Sequence, residues 1–241
     1  MRQIVAMHGW SRDSRDWKAW QIKFEQRGWS WISGERGYGS LLPVQPQWNS
    51  DSRDETVANR RVIIGYSLGP HLIDDKVLGQ ATDVVLLASF GRFVPQGTAG
   101  RALHSDLRAM EALIGTTRED TMIKKFLKRA AKPLPITPLL PEVEQCRLSD
   151  EGRQRLRQDL RSLREIENPP VGLPTTARVL VIEGAEDAIV APIARQELLS
   201  RLREQLSEPP EHWLLPGIGH ALILPELVDH VLCWLDRSIT S

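Results

Sequence analysis

The hydrophobic positions of this chain follow two patterns, short apolar runs and longer segments with a helical period. The short runs predict strands at residues 3–7, 29–32, 61–64, 83–88, 178–183 and 212–215. Between most of them the apolar residues recur every three or four positions, as Trp17, Trp20 and Phe24 do. Strands that alternate with helices predict right-handed βαβ units, and therefore an α/β fold with a mostly parallel sheet of about six strands.

The alternation stops between residues 95 and 176, where successive segments have a helical pattern. Their apolar positions are Leu103, Leu107, Met110 and Ile114, then Met122, Ile123, Phe126, Leu127 and Ala130, then Leu156, Leu160 and Leu163. A helical block between two strands predicts a lid over the carboxyl edge of the sheet, where ligands bind in open α/β sheets. We therefore expect an α/β core at residues 1–94 and 177–241 and a helical lid at residues 95–176.

The third predicted strand ends in Gly-Tyr-Ser-Leu-Gly-Pro, with Ser67 at its centre. This sequence fits the G-x-S-x-G turn that presents a nucleophilic serine between a strand and a helix. Gly65 and Gly69 have no Cβ and leave room for such a turn, and Pro70 suits the first turn of a helix predicted over residues 70–78. The alternative is an ordinary strand-to-helix turn that happens to contain a serine.

A serine hydroxyl is a weak nucleophile, so it needs an imidazole to accept its proton and a carboxylate to orient that imidazole. Asp187 follows the predicted strand 178–183, and His220 follows the predicted strand 212–215 within Gly-Ile-Gly-His. Since Ser67 also lies just beyond a strand, we expect the three side chains to meet at one edge of the sheet. Ser67, Asp187 and His220 are therefore the predicted catalytic residues.

Each of these assignments has an alternative. Asp187 is a residue type common in turns, and Glu183 and Glu186 are rival acids, although Glu183 lies within the predicted strand. His220 is alternatively a buried structural histidine. The other histidines suit the role less well by position, and they are His8, His71, His104, His212 and His230.

The first predicted strand runs directly into His8-Gly9-Trp10. Acyl transfer builds negative charge on a carbonyl oxygen, and preorganised backbone N–H groups stabilise that charge best. We assign the N–H groups of Trp10 and Leu68 to such an oxyanion hole. Gly9 lets the backbone approach closely, and His8 is interpreted as structural.

These motifs together resemble the α/β-hydrolase superfamily over essentially the whole chain. More narrowly, His-Gly-Trp with Gly-x-Ser-Leu-Gly resembles the pimeloyl-[acyl-carrier protein] methyl ester esterases of biotin synthesis. The resemblance implies an α/β-hydrolase fold and a serine esterase that acts through an acyl-enzyme without a cofactor or metal. It implies that the substrate is a methyl ester presented by acidic acyl-carrier protein, and that the substrate-binding residues are Trp10, Leu68, Phe126, Leu127 and Ala130.

Some features depart from that family. Pro70 stands where a glycine is common, and the chain begins at what would be the family's third strand, so an N-terminal hairpin is expected to be absent. Small carboxylesterases share most of the motifs. A small-molecule carboxylesterase and a ligand-binding relative with poor turnover therefore stay open as alternatives.

One predicted helix carries a row of arginines beside its apolar stripe. Arg153, Arg157, Arg161 and Arg164 recur at helical spacing, and Lys124, Lys125, Lys128 and Arg129 form a second basic group. In a neutral protein, such a face could steer an acidic carrier protein toward the cleft. The alternative is a solvated helix face without a partner.

Composition adds little about partners. Lys plus Arg and Asp plus Glu each number 31, so the net charge indicates neither nucleic-acid nor bulk membrane binding. No apolar run approaches the roughly 18 residues of a membrane-spanning helix. Cys146 and Cys233 are far apart and lack metal-site spacing, which favours a reduced, cytoplasmic protein. A monomer is expected.

Overall fold

The computed structural model describes residues 2–49, 60–139 and 148–237, and within them the strands form one parallel sheet. The strands are β1 (Arg2–Met7), β2 (Ser30–Ser33), β3 (Arg60–Tyr66), β4 (Asp83–Leu87), β5 (Arg178–Gly184) and β6 (Glu211–Leu215). Their order across the sheet is β2-β1-β3-β4-β5-β6. All five neighbouring pairs are parallel, which confirms the predicted parallel sheet of about six strands.

The helices predicted around residues 17–24 and within residues 95–176 are present. The helices are α1 (Lys18–Glu25), α2 (Asp75–Leu78), α3 (Thr98–Leu113), α4 (Glu119–Ala131), α5 (Asp150–Glu165), α6 (Pro192–Gln205) and α7 (Leu227–Asp236). The prediction of one helix over residues 70–78 is wrong. A 3-10 turn at Gly69–Leu72 ends at Ile73, which is extended, and the Asp74 side chain then caps α2 by accepting the N–H of Lys76.

The two faces of the sheet bury two separate apolar clusters. Along β1, Ile4 and Ala6 face the cluster that contains α1 and α7, whereas Val5 and Met7 face the cluster that contains α2 and α6. This alternation follows from the two-residue period of a strand. The sheet is therefore covered by helices on both faces, as expected for parallel strands.

A third cluster lies at the end of the sheet where the strands finish. It joins Trp10 and Leu68 to apolar residues of all three helices between β4 and β5, including Leu107 of α3, Met122 of α4 and Leu160 of α5. These helices share a core with the ends of the strands. The division of the chain into a core and a lid stays a prediction.

Helix α5 is held to the loop after β2 by a buried carboxylate. Asp159 accepts two hydrogen bonds from the Arg36 guanidinium, at 2.8 and 2.7 Å, and one from the Tyr38 hydroxyl at 2.6 Å. Burial and the Asp159 charge raise the pKa of Tyr38 well above its usual value, so the phenol stays a donor. The Trp10 indole also donates to the Leu156 carbonyl at 3.1 Å. The bonds to Asp159 hold the loop after β2 to α5, and the indole bond holds the Trp10 side chain to α5.

Among the described residues, no helix is long and apolar enough to cross a membrane. Cys233 is an exposed free thiol, and Cys146 lies outside the described residues.

A second buried carboxylate ties three strands together where they begin. Asp83 at the start of β4 accepts hydrogen bonds from Arg60 of β3 at 3.0 Å and from Arg178 of β5 at 2.8 Å. Burial alone would raise the pKa of Asp83. The hydrogen bonds and charge of Arg60, with hydrogen bonds from Thr82 and Arg178, outweigh burial and lower the pKa below 3.8.

We predict that Asp83→Asn lowers the free energy of unfolding by about 2 kcal/mol at pH 7, because it leaves two partly buried guanidinium groups without their counter-charge. The lowered pKa means that this stabilisation is complete above the ordinary pKa and is lost as the pH falls through the folded pKa. Urea unfolding of both proteins at pH 7 and near pH 3 measures the difference.

The matched control is Asp229→Asn, which removes an exposed ion pair with Lys23. It should lower the free energy of unfolding by less than about 1 kcal/mol. Equal losses for the two variants, or a loss at Asp83 that does not shrink in acid, would contradict the role given to Asp83.

Candidate active site

The backbone at Ser67 is held in a conformation that side-chain-bearing residues rarely adopt. Ser67 has a φ of 54° between β3 and the 3-10 turn at Gly69–Leu72. Its N–H donates to the Leu87 carbonyl at 2.8 Å, and its carbonyl accepts the Ser89 hydroxyl at 2.8 Å. Such strain persists only where neighbouring groups hold it, and it is typical of functional sites. The turn therefore matches the predicted elbow.

The glycines that flank Ser67 are required by close packing. A Cβ on Gly65 would overlap the Pro70 ring, and a Cβ on Gly69 would overlap the Met7 carbonyl oxygen. Met7 ends β1, so the elbow lies directly against the end of the neighbouring strand. The interpretation that both positions need small residues is confirmed.

The structure brings Ser67, His220 and Asp187 into one chain of hydrogen bonds. His220 Nε2 lies 3.1 Å from Ser67 Oγ, and His220 Nδ1 lies 2.8 Å from Asp187 Oδ2. All three residues are buried, with 8%, 1% and 7% of Ser67, His220 and Asp187 exposed. An imidazole in this position can accept the hydroxyl proton while the carboxylate holds its other nitrogen protonated.

Asp187 is kept ionised by its surroundings. Burial alone would raise its pKa, but the charge and hydrogen bond of His220 lower it, as do the N–H groups of Val190 and Ile189. Those two groups donate to Asp187 Oδ1 at 2.9 and 2.7 Å. The net effect is a pKa below 3.8, so the carboxylate is charged at neutral pH.

The rival acids lie elsewhere. Glu183 on β5 pairs with His212 at 3.0 Å, and Glu186 accepts the N–H of Gly217 at 3.3 Å. Among the described residues, the carboxylate hydrogen-bonded to His220 is that of Asp187.

The other buried histidines have structural surroundings. His8 Nε2 accepts a hydrogen bond from the N–H of Arg36 at 3.0 Å, and its interpretation as structural stays a prediction. His71 lies 2.9 Å from the Phe90 carbonyl oxygen, and burial lowers its pKa to about 4.

Two contacts that position His220 were not expected from sequence. The Tyr66 hydroxyl donates to the His220 carbonyl at 3.3 Å, and the two rings lie 5.4 Å apart. The N–H of Ala221 donates to the Ala130 carbonyl at the end of α4, at 3.0 Å. An aromatic residue directly before Ser67 was the feature of the sequence that could have indicated the first contact. The second joins segments 91 positions apart, which no local pattern reveals.

The proposed oxyanion donors have backbone N–H groups that are unoccupied. Within residues 2–49, 60–139 and 148–237, the N–H groups of Trp10 and Leu68 donate to no protein atom. Leu68 directly follows Ser67 and precedes the 3-10 turn at Gly69–Leu72. Their assignment to an oxyanion hole stays a prediction.

Two cavities, of about 220 and 520 Å³, meet at Ser67. Trp10 and Phe126 line both, and their rings are in edge-to-face contact 5.0 Å apart. Of the other residues predicted to contact substrate, Leu127 and Ala130 line the smaller cavity. The Leu68 side chain lines neither and is buried in the third apolar cluster, which leaves its backbone N–H as the contact.

The four arginines predicted to bind a carrier protein all have partners within the chain. Arg153 pairs with Glu119 of α4 at 2.9 Å, and Arg161 and Arg164 pair with Glu111 of α3 at 2.5 and 2.7 Å. Arg157 donates to the Ile114 carbonyl at 2.6 Å. These bonds join α5 to its neighbours. Whether they also receive a carrier stays a prediction.

In the described part of the chain, no cluster of three or more His, Cys, Asp or Glu side chains is arranged to hold a metal ion.

Comparison with known proteins supports the fold. No family model and no curated protein matches the chain. An esterase from Exiguobacterium antarcticum has a TM-score of 0.65 at 16% identity, over 98% of this chain and 92% of that one. An α/β-hydrolase enzyme from a Medee basin deep-sea metagenome library has a TM-score of 0.65 at 15% identity, over 100% and 91%. A monoacylglycerol lipase from Paleococcus ferrophilus has a TM-score of 0.58 at 15% identity, over 97% and 93%. Likeness at these identities establishes the fold alone, and the predicted α/β-hydrolase fold is confirmed.

We predict that a fluorophosphonate reagent modifies Ser67 once, because His220 can take the hydroxyl proton as the oxygen attacks phosphorus. Asp187→Asn should slow the reaction roughly tenfold or more, since an amide favours the wrong tautomer of His220. Intact-protein mass spectrometry over time measures both the site and the rate.

Glu186→Gln is the matched control, because Glu186 precedes Asp187 and does not contact His220. Its rate should stay within about twofold of wild type. If Glu186→Gln slowed the modification more than Asp187→Asn did, Glu186 would be the acid that orients His220.

Proposed function

We propose that the protein is a serine carboxylic ester hydrolase. The observation that supports this most is the hydrogen-bonded chain from Ser67 through His220 to Asp187, placed at a strained turn where two cavities meet. Nucleophile, base and orienting acid in this geometry serve acyl transfer. The similar structures named above include an esterase and a lipase.

In the proposed reaction, Ser67 Oγ attacks the ester carbonyl carbon as its proton passes to His220 Nε2. The carbonyl oxygen becomes negatively charged and accepts hydrogen bonds from the N–H groups of Trp10 and Leu68. Asp187 stabilises the resulting imidazolium without taking its proton. His220 Nε2 then protonates the alcohol oxygen, the ester C–O bond breaks, and an acyl-enzyme on Ser67 remains.

The second half of the reaction repeats these roles with water. Water gives a proton to His220 Nε2 as its oxygen attacks the acyl carbon, and the same two N–H groups hold the oxyanion. Collapse returns the proton to Ser67 Oγ and releases the carboxylic acid. The cycle consumes one water and one ester and releases one alcohol and one carboxylic acid.

We predict that Ser67→Ala lowers kcat for a short p-nitrophenyl ester by about 10³-fold or more, since only the oxyanion hole and binding remain. Circular dichroism should be unchanged, because the substitution removes one hydroxyl at the edge of a cavity.

Ser200→Ala is the control, because it removes an exposed hydroxyl of α6 that lines neither cavity, so its kcat should stay within about twofold of wild type. Retention of more than about a tenth of wild-type kcat by Ser67→Ala would exclude Ser67 as the nucleophile. Absence of any turnover by wild type would favour a ligand-binding relative.

At finer detail, we propose that the substrate is the methyl ester of a pimeloyl chain carried by acidic acyl-carrier protein, as in biotin synthesis. The resemblance of His8-Gly9-Trp10 and the Ser67 turn to those esterases supports this. The arginines of α5 supply a basic face, on which the Arg161 side chain is 58% exposed. A small-molecule carboxylester is the second candidate, and the pairing of all four arginines within the chain favours it.

We predict that the Arg157→Gln, Arg161→Gln double variant lowers kcat/KM for the carrier-linked methyl ester about fivefold, because charges at the rim act on encounter. Turnover of free monomethyl pimelate, measured alongside by released methanol, should change by less than about twofold. Salt should weaken the carrier-linked reaction more than the free-ester reaction, since the acidic carrier presents more charges and the screening length falls to roughly 3 Å at 1 M.

Equal losses of kcat/KM on the two substrates would mean that the substitutions only disturb the packing of α5. Hydrolysis of the free ester with none of the carrier-linked ester would favour the small-molecule carboxylesterase.

A further inference from the structure

The larger cavity has an apolar wall built from α3, α4 and α5. Its volume of about 520 Å³ lies within the roughly 300–1,000 Å³ of small-molecule sites. The wall is formed mainly by Leu103, Leu107, Met110, Met122, Leu160 and Leu163. One end reaches Ser67 and Trp10. A flexible hydrocarbon chain attached to Ser67 would bury its surface here.

The same cavity is bordered by exposed cations that are unpaired within residues 2–49, 60–139 and 148–237. Arg118, Lys125 and Arg129 line it, together with one acid, Asp106. Among the described residues, none of these four side chains forms an ion pair or a hydrogen bond, whereas the arginines of α5 are all paired. Three positive charges against one negative charge leave an excess of two at the rim of an apolar pocket.

The chemistry decides which part of an ester enters this cavity. The leaving alcohol must take its proton from His220 Nε2, so it has to depart on the side that His220 borders. His220 lines the 220 Å³ cavity and does not line the 520 Å³ cavity. The alcohol therefore belongs in the smaller cavity and the acyl chain in the larger one. This step rests on the proposed esterase function.

We propose that the larger cavity is an acyl site for chains that end in an anion, with Arg118, Lys125 and Arg129 binding the anionic end. The wall stabilises the methylene groups by removing them from water. The cations interact favourably with a carboxylate or phosphate, and they give no such advantage to a neutral chain end. The substrate class is thus an ester of a small alcohol with an acid that is apolar along its length and charged at its far end.

Three methyl esters of equal chain length test this. Monomethyl suberate ends in a carboxylate, methyl 8-hydroxyoctanoate ends in a neutral hydroxyl, and methyl 8-(phosphonooxy)octanoate ends in a phosphate. Wild type should prefer both anions over the hydroxyl ester in kcat/KM. Lys125→Met with Arg129→Met should reduce that preference about fivefold, because two of the three positive charges at the rim are removed and each exposed pair contributes only modestly.

Lys124→Met with Lys128→Met is the matched control, because these exposed lysines lie on the same helix and line neither cavity. It should leave the preference within about twofold of wild type. The hydroxyl ester should react equally in all three proteins, which excludes damage to α4. Preference for the phosphate alone would identify phosphate as the anion, and preference for the carboxylate alone would identify a diacid.

Calorimetric binding of the same esters to the Ser67→Ala protein separates the two proposals. Hydrolysis of all three esters without an anion preference would overturn the anion site and leave the esterase intact. Binding that is tighter for the anions, and dependent on Lys125 and Arg129, would support the site even if no ester were turned over. Equal binding of anionic and neutral esters would overturn it.

Discussion

The constraint on which the site depends is the left-handed backbone at Ser67. That conformation points the hydroxyl out of the sheet toward His220, and it is possible only because the Gly65 and Gly69 backbones pass against Pro70 and Met7 without side chains. Local strain of this kind costs about 1–3 kcal/mol, so the surroundings must hold it. The hydrogen bonds from the Ser67 N–H and from the Ser89 hydroxyl do so, and they connect the turn to the end of β4.

The helices between β4 and β5 complete the site. The Trp10 indole is bonded to α5, and Asp159 ties α5 to Arg36 and Tyr38 in the loop after β2. The end of α4 is bonded to the residue that follows His220. Helix α5 therefore positions the loop that contains Trp10, and helix α4 positions the loop that contains His220. The cavities that would receive substrate are the spaces left between these attachments.

Among the described residues, the basic side chains that are free to bind a ligand are not the ones that helical spacing in the sequence indicates. The row of arginines on α5 looks like the basic face, yet its members are bonded to Glu111, Glu119 and a backbone carbonyl. Lys125 and Arg129 of α4, which border the apolar cavity, have no ion pair within the part of the chain that the structure describes. Pairing depends on which helices lie side by side, and the periodicity of one helix contains no information about its neighbours. The sequence pattern therefore located basic residues without indicating which of them are available to a ligand.

The sequence alone determined the succession of most strands and helices and the turn at Ser67, because each depends on residues within a few positions. The alternation of strands and helices in turn predicted the parallel sheet. The sequence also placed Ser67, Asp187 and His220 after strand ends, and parallel strands bring such ends to one edge. Only the tertiary structure decided which carboxylate contacts His220. Glu183 and Asp187 are four residues apart, and the backbone directs the first side chain to His212 and the second to His220. The tertiary structure also decided the break at Ile73, where Asp74 caps a new helix, and the role of Tyr66 beside His220. The two cavities likewise exist only where distant helices pack against the sheet, so their volumes, walls and charged rim are properties of long-range contacts.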